Sequence, residues 1–181
     1  IIQASYLKAS YYWSIMTQGK SCQESEILKI GVPKEPENEN RVAIVPSSMK
    51  KLAKAGFEVL IEKGAGVLAN YNDSDYEAAG AILADREAVM SCPNIIAINF
   101  PGVEGISEGT NLVCVADPFR NPENVKQCMK GNITLMSMDM IPRRLSRAQS
   151  MDVNSSQDNL SGYKAVLLGA ANVPKGIPMM T

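Results

Sequence analysis

The sequence predicts an α/β fold in which a mostly parallel sheet is flanked by helices. Three observations lead there: apolar runs of strand length recur along the chain, helical stretches separate them, and glycine, proline and small polar residues punctuate the joins. Alternation of this kind implies crossover connections and a sheet covered on both faces.

Taken in order, Ile27 to Val32 reads as the first strand. Ser47 or Ser48 can cap a helix running to Ala55, with Gly56 as its stop, and Phe57 to Ile61 completes a βαβ unit. Asp73 or Ser74 caps a helix through Ala79 that Gly80 ends. Further strands are expected at Asn94 to Asn99, Asn111 to Val115 and Ile133 to Ser137. Between the last two, Asn121-Pro122-Glu123 opens a helix with proline in its first turn, and Gly131 lies past its end. Ser156 to Ala171 reads as a long amphipathic helix with Leu160, Tyr163, Val166, Leu167 and Ala170 at helical spacing, ending at Pro174. The whole is a three-layer sandwich of the Rossmann or flavodoxin type. Residues 1–26, with Tyr6, Tyr11, Tyr12 and Trp13 among small polar neighbours, read as a linker or extension outside it. The first residue is Ile and Thr181 directly follows Pro178-Met179-Met180, so the chain reads as a fragment of something longer.

Composition excludes several classes of function. At 181 residues and 45% hydrophobic content, one respectable core is within reach. Eighteen basic residues against nineteen acidic ones leave a net charge of −1, a poor match for nucleic acid or an anionic membrane surface. Cys22, Cys92, Cys114 and Cys128 are scattered and form no paired ligand motif; they read as structural thiols of a reducing compartment. No apolar run approaches the ~20 residues that cross a bilayer. Histidine is absent, which removes the usual general acid or base near neutral pH and the nucleophile systems built on it. Any catalysis here works by positioning, with the hard chemistry carried by a cofactor.

Three polar stretches stand out. The richest is Arg143-Arg144-Leu145-Ser146-Arg147-Ala148-Gln149-Ser150-Met151-Asp152, after a strand and before the long helix. The carboxyl end of a strand is where open α/β sheets bind ligands. Arg144 and Arg147 offer directed cationic donors, Gln149 donates and accepts, and Asp152 accepts only, a set that suits a carboxamide and a ribose. A solvated basic turn is the plainer reading. The second stretch, Gly31 to Ala43, also follows a strand; Arg41 there either clamps a carboxylate or pairs with Glu35 or Glu39 to hold the loop, and residue types favour the pairing. The third, Gly64-Ala65-Gly66-Val67-Leu68-Ala69 with Asp85 downstream, imitates a dinucleotide fingerprint. Asn70-Tyr71-Asn72-Asp73 breaks the helix that fingerprint needs, so these glycines read as a tight turn, and the chain holds no nucleotide-phosphate cradle.

Gly31-Val32-Pro33-Lys34-Glu35, Asn40-Arg41-Val42-Ala43, Gly64-Ala65-Gly66 and Tyr76 to Ala81 together resemble the amino-terminal domain shared by alanine dehydrogenases and proton-translocating nicotinamide nucleotide transhydrogenases. Ser146 to Asp152, Ser155-Ser156 and Gly162-Tyr163-Lys164-Ala165-Val166 resemble the transhydrogenase branch specifically. The likeness covers residues 27–181. It departs in a loop one residue shorter at Glu35 to Asn38, in Val45 where a hydroxyl residue is usual, and in Arg143-Arg144 where the family has one arginine; counting back from Gln149 selects Arg144. Where alanine dehydrogenases place a catalytic histidine and a substrate-binding lysine, this chain has Asp117 and Asn99, which removes that chemistry.

The resemblance implies the N-terminal half of a two-subdomain NAD(H)-binding unit, domain I of a transhydrogenase, with 27–154 as the domain and 155–181 as an interdomain helix leading to a Rossmann half. It implies hydride transfer between NAD(H) here and NADP(H) on a separate domain III, coupled to proton translocation through a membrane domain II. A homodimer through domain I follows, at the soluble face of a mitochondrial inner or bacterial cytoplasmic membrane. Arg144, Ser146, Arg147, Gln149, Asp152 and Ser155 are the implied cofactor-binding residues: Arg144 and Gln149 orient the carboxamide, Asp152 and Ser155 hold the ribose side or the loop, and Tyr163 supports the helix. Alone, the fragment should bind NADH poorly and be inactive. The alternatives are an alanine dehydrogenase-like oxidoreductase and a non-catalytic dimerisation or binding module.

Overall fold

The computed structural model describes residues 28–174. The extension over residues 1–26, Ile27 as the start of the first strand, Cys22 and the stretch beyond Pro174 lie outside the described residues.

Six strands form one all-parallel sheet: β1 (Leu28–Val32), β2 (Phe57–Glu62), β3 (Ile82–Ala84), β4 (Asn94–Asn99), β5 (Asn111–Val115) and β6 (Thr134–Ser137). Their order in space is β3-β2-β1-β4-β5-β6, so the winding reverses between β1 and β4. Five helices accompany them: α1 (Pro46–Lys54), α2 (Asp73–Ala78), α3 (Arg86–Met90), α4 (Pro122–Lys130) and α5 (Val153–Asn172). β3 and α3 were not expected from the sequence. Three and five residues long, they are too short to show periodicity.

Burial follows the layering. Ile30, Val32, Val59 and Ile61 build a core on the β1–β2 side, and Ile95, Leu112 and Cys114 build a second on the β4–β5 side. Such residues contribute roughly 1.5–3 kcal/mol each when fully buried. Near-continuous burial along β4 is what a parallel strand covered on both faces requires. α3 lies so close to β1 that a Cβ on Gly31 would stand 2.2 Å from the Val89 carbonyl oxygen. Tyr76 of α2 is fully buried, and its hydroxyl donates to the Ile44 carbonyl at 2.9 Å. Against that ring Gly66 has no room for a side chain, with 2.6 Å left for a Cβ, so the glycines after β2 serve a tight turn. Cys92, Cys114 and Cys128 are free and buried, and burial pushes all three thiols up, Cys114 to about 12.

Helix starts differ from expectation. α1 is preceded by Val45 with Pro46 in its first turn, so proline's fixed φ begins it and neither Ser47 nor Ser48 caps it. α2 is capped at Asn72, one residue before Asp73; Asp75 accepts from the Asn72 amide at 2.8 Å. α5 starts at Val153, three residues before Ser156, because Asp152 takes the cap position. Its apolar residues keep helical spacing, but Leu160, Tyr163, Val166 and Leu167 are exposed. The stripe expected to bury these residues instead lies open, and only Val153 of α5 is buried. Among the described residues no helix is long and apolar enough to cross a membrane.

Candidate functional site

The reversal between β1 and β4 is where an open parallel sheet leaves a crevice at its carboxyl edge. The chain fills it with Glu35. This buried carboxylate accepts from the Ile98 amide at 2.5 Å, the Asn99 amide at 3.1 Å and the Asn99 Nδ2 at 3.2 Å. Burial outweighs these bonds and pushes the Glu35 carboxyl above its ordinary value. An adjoining crevice of about 240 Å³, beside Pro33, Arg86 and Phe100, includes no residue of the arginine-rich loop.

Four residues on, Glu39 holds Arg41. Its carboxylate takes the Arg41 Nε at 2.7 Å, the Nη2, and the Arg41 backbone amide at 3.0 Å, and the guanidinium holds the Glu39 carboxyl down at about 2. The pairing favoured for Arg41 is the one found, with Glu39 as partner. The remaining nitrogen, Nη1, donates to Gln157 Oε1 at 2.6 Å, joining the β1 loop to α5 across 116 residues of sequence.

The arginine-rich loop is carried in from β6. Ser137 donates to Asp139 and accepts the Ala116 amide at 3.2 Å, and Asn154 donates to the Asp139 carbonyl at 3.1 Å, so the strand end and the α5 start are tied together. Between them the backbone winds through tight turns. Leu145 donates to the Pro142 carbonyl, Ala148 to the Leu145 carbonyl, and a 3-10 turn spans Gln149–Met151. Ala148 is the loop's buried anchor.

Asp152 ends the loop as the N-cap of α5. One oxygen accepts the Ser155 amide at 3.0 Å, the other its hydroxyl at 2.6 Å, and these bonds hold the carboxyl below its ordinary value. Arg143 lies 3.8 Å from Asp152 and 3.7 Å from Asp158. By contrast, Arg144, Ser146, Arg147 and Gln149 are exposed, and their side chains make no hydrogen bond or ion pair among the described residues. The structure thus brings Asp152 and Ser155 into contact and leaves the other four as neighbours on one loop. Asn99 is occupied by Glu35 and Glu39, and Asp117 sits at φ 44° in the turn that opens α4.

Three participants escaped sequence reading: Glu35 as the crevice filler, Arg143 as the partner of two aspartates, and Gln157. A signal for Gln157 existed. With the helix start placed at Asp152, Gln157 falls one turn after buried Val153 and shares its face.

An all-parallel sheet with a filled switch point and an outlying ligand-type loop defines a dinucleotide-type domain that lacks a phosphate cradle of its own. The family model "alanine dehydrogenase/PNT, N-terminal domain" matches residues 31–161, and the chain belongs to that family. It is 42% identical over 164 residues to the first of the polypeptides that make up the NAD(P) transhydrogenase alpha subunit of Rhodospirillum rubrum, covering 84% of this chain and 42% of that one. Alanine dehydrogenase of Bacillus subtilis is a weaker relative, 29% identical over 154 residues, covering 81% of this chain and 40% of that one. The solved transhydrogenase from Sinorhizobium meliloti superposes with a TM-score of 0.79 at 36% identity, covering 84% of this chain and 47% of that one. The chain therefore spans less than half the length of these relatives.

Proposed function

We propose that this chain is the first half of domain I, the NAD(H)-binding component of a proton-translocating transhydrogenase. The observation that supports it best is the division within the loop. Arg143 and Asp152 are engaged at the start of α5, while Arg144, Arg147 and Gln149 beside them are exposed and unengaged. Three side chains with this donor set suit a carboxamide, which presents one carbonyl acceptor and an NH₂ donor, and a ribose, which presents hydroxyls.

Bound NAD(H) supplies the hydride, exchanged with NADP(H) on another domain. Arg144 and Gln149 orient the carboxamide. Ser146 and Arg147 line the same edge. Asp152 and Ser155, already bonded to each other, hold the ribose side through the loop's exit. The pyrophosphate is held elsewhere, on a Rossmann half reached through α5, with 27–154 as the domain and 155–181 as the bridge. The proposed partners are a second copy of domain I, an NADP(H)-binding domain III and a membrane domain II, at the soluble face of a mitochondrial inner or bacterial cytoplasmic membrane. By itself the half binds NADH weakly and is inactive, because a few contacts seldom offset the entropy of association. The alanine dehydrogenase alternative lacks its acid-base pair, since Asn99 and Asp117 stand at those positions.

The test is NADH titration, by fluorescence, of the natural polypeptide that carries this chain, beside its Arg144→Ala and Gln149→Ala variants. Affinity should fall by about tenfold or more in each, the equivalent of about 1.4 kcal/mol, at an unchanged melting temperature. Unchanged affinity and turnover would sink the assignment.

A further inference from the structure

We infer that Arg41 is a positioning residue for the nucleotide loop, acting through its bond to Gln157 at the start of α5; the inference rests on the proposed function. Arg41 does not have its fork free for a ligand. Glu39 occupies the Nε and Nη2 positions, and the third nitrogen reaches Gln157 Oε1 at 2.6 Å. The guanidinium is therefore aimed by the β1 loop at one point on α5, and bidentate pairing makes that aim rigid. Glu39 is in turn bonded to Asn99 at the end of β4, at 3.3 Å, so the aim is referred to the two central strands of the sheet.

Gln157 supplies the second observation. With Oε1 given to Arg41, its Nε2 is left buried without a hydrogen-bond partner. An orphaned buried donor is destabilising. A residue kept at this position for packing alone would be better as an apolar side chain of the same size, so the amide is held there by what Oε1 accepts. Arg41 is the group that it accepts from, and the bond fixes the first two turns of α5. Those turns carry Ser155, whose amide and hydroxyl hold Asp152, where the nucleotide loop ends. Asn154 in the first turn also anchors the Asp139 carbonyl upstream of the loop. A change at Arg41 is thereby felt at both ends of the loop although Arg41 itself touches neither.

The experiment is a double-variant cycle in the natural polypeptide, read by NADH affinity and by amide exchange without nucleotide. Arg41→Met and Gln157→Leu should each weaken NADH by about tenfold, and the pair together no more than either alone, because both break one link. Gln157→Leu also removes the orphaned nitrogen and should not lower the melting temperature, which separates positioning from folding. Gln157→Glu, whose carboxylate can still accept from Arg41, should restore affinity relative to Gln157→Leu. Additive losses, or no loss while Arg144→Ala does weaken NADH, would overturn the positioning role and leave the proposed function standing. If Arg144→Ala has no effect, the proposed function fails and amide exchange decides. Faster exchange over residues 149–158 in both single variants supports the link, and unchanged exchange refutes it.

Discussion

Two loops at the same edge of the sheet treat their charges in opposite ways. After β1, Glu35, Glu39 and Arg41 are consumed by one another, by β4 amides and by Gln157. After β6, Arg144, Arg147 and Gln149 are left in solvent with no partner among the described residues. Stability is concentrated in the first loop and recognition chemistry in the second. A protein that must hold a ligand loop steady benefits from this separation, because the groups that fix the frame are not the groups that have to be free.

Substitution at Glu35 should break the contrast most severely. Glu35→Ala strands the Ile98 and Asn99 amides, and unfolding free energy should fall by roughly 2–4 kcal/mol, read from urea midpoints. Acid is the next probe. The Glu39 carboxyl is held at about 2 from an ordinary 4.5, so its contribution is present above about pH 4.5 and is lost as pH falls toward 2. Glu35 runs the other way: its raised value makes the folded state less stable at neutral pH and relieves that cost as pH falls toward 4.5. The cluster should therefore be most stable near pH 4.5–5, with an acid limb on the order of 2 kcal/mol after screening of the half-exposed Arg41. Urea titrations across pH 2–8 would show it, and Glu39→Gln should flatten the acid limb. A profile that rises steadily to pH 8 would contradict it.

Smaller still is the cap. Asp152→Ala should cost about 1 kcal/mol and speed amide exchange in the first turn of α5. Smallest of all, Arg144→Ala and Arg147→Ala should change stability by less than about 0.5 kcal/mol. A large loss of stability from either would erase the distinction between the two loops.

Much of this was legible in the sequence, for reasons that particular residues make clear. β1, β2, β4 and β5 announced themselves as apolar runs between turn residues, and Gly66 with Asn70 betrayed a turn where a fingerprint seemed to stand. The Arg41–Glu39 pair was legible because the partners are two residues apart. Arg41 and Gln157 are 116 residues apart, and no local pattern joins them. Arg143 was a surplus arginine in sequence; its engagement with Asp152 and Asp158 depends on where α5 begins. The apolar spacing of α5 was read correctly as spacing and wrongly as burial, since spacing says which residues share a face and not what lies against it.

Glu35 has a consequence for how this edge meets the cell. A carboxylate tethered so close to the end of its own strand competes for the β4 amides at an effective concentration on the order of millimolar or more. Free organic acids face an incumbent that never diffuses away. The switch-point crevice is in that sense pre-saturated, and the fold keeps its most favoured binding position closed to the metabolite pool by using one of its own side chains as the resident anion.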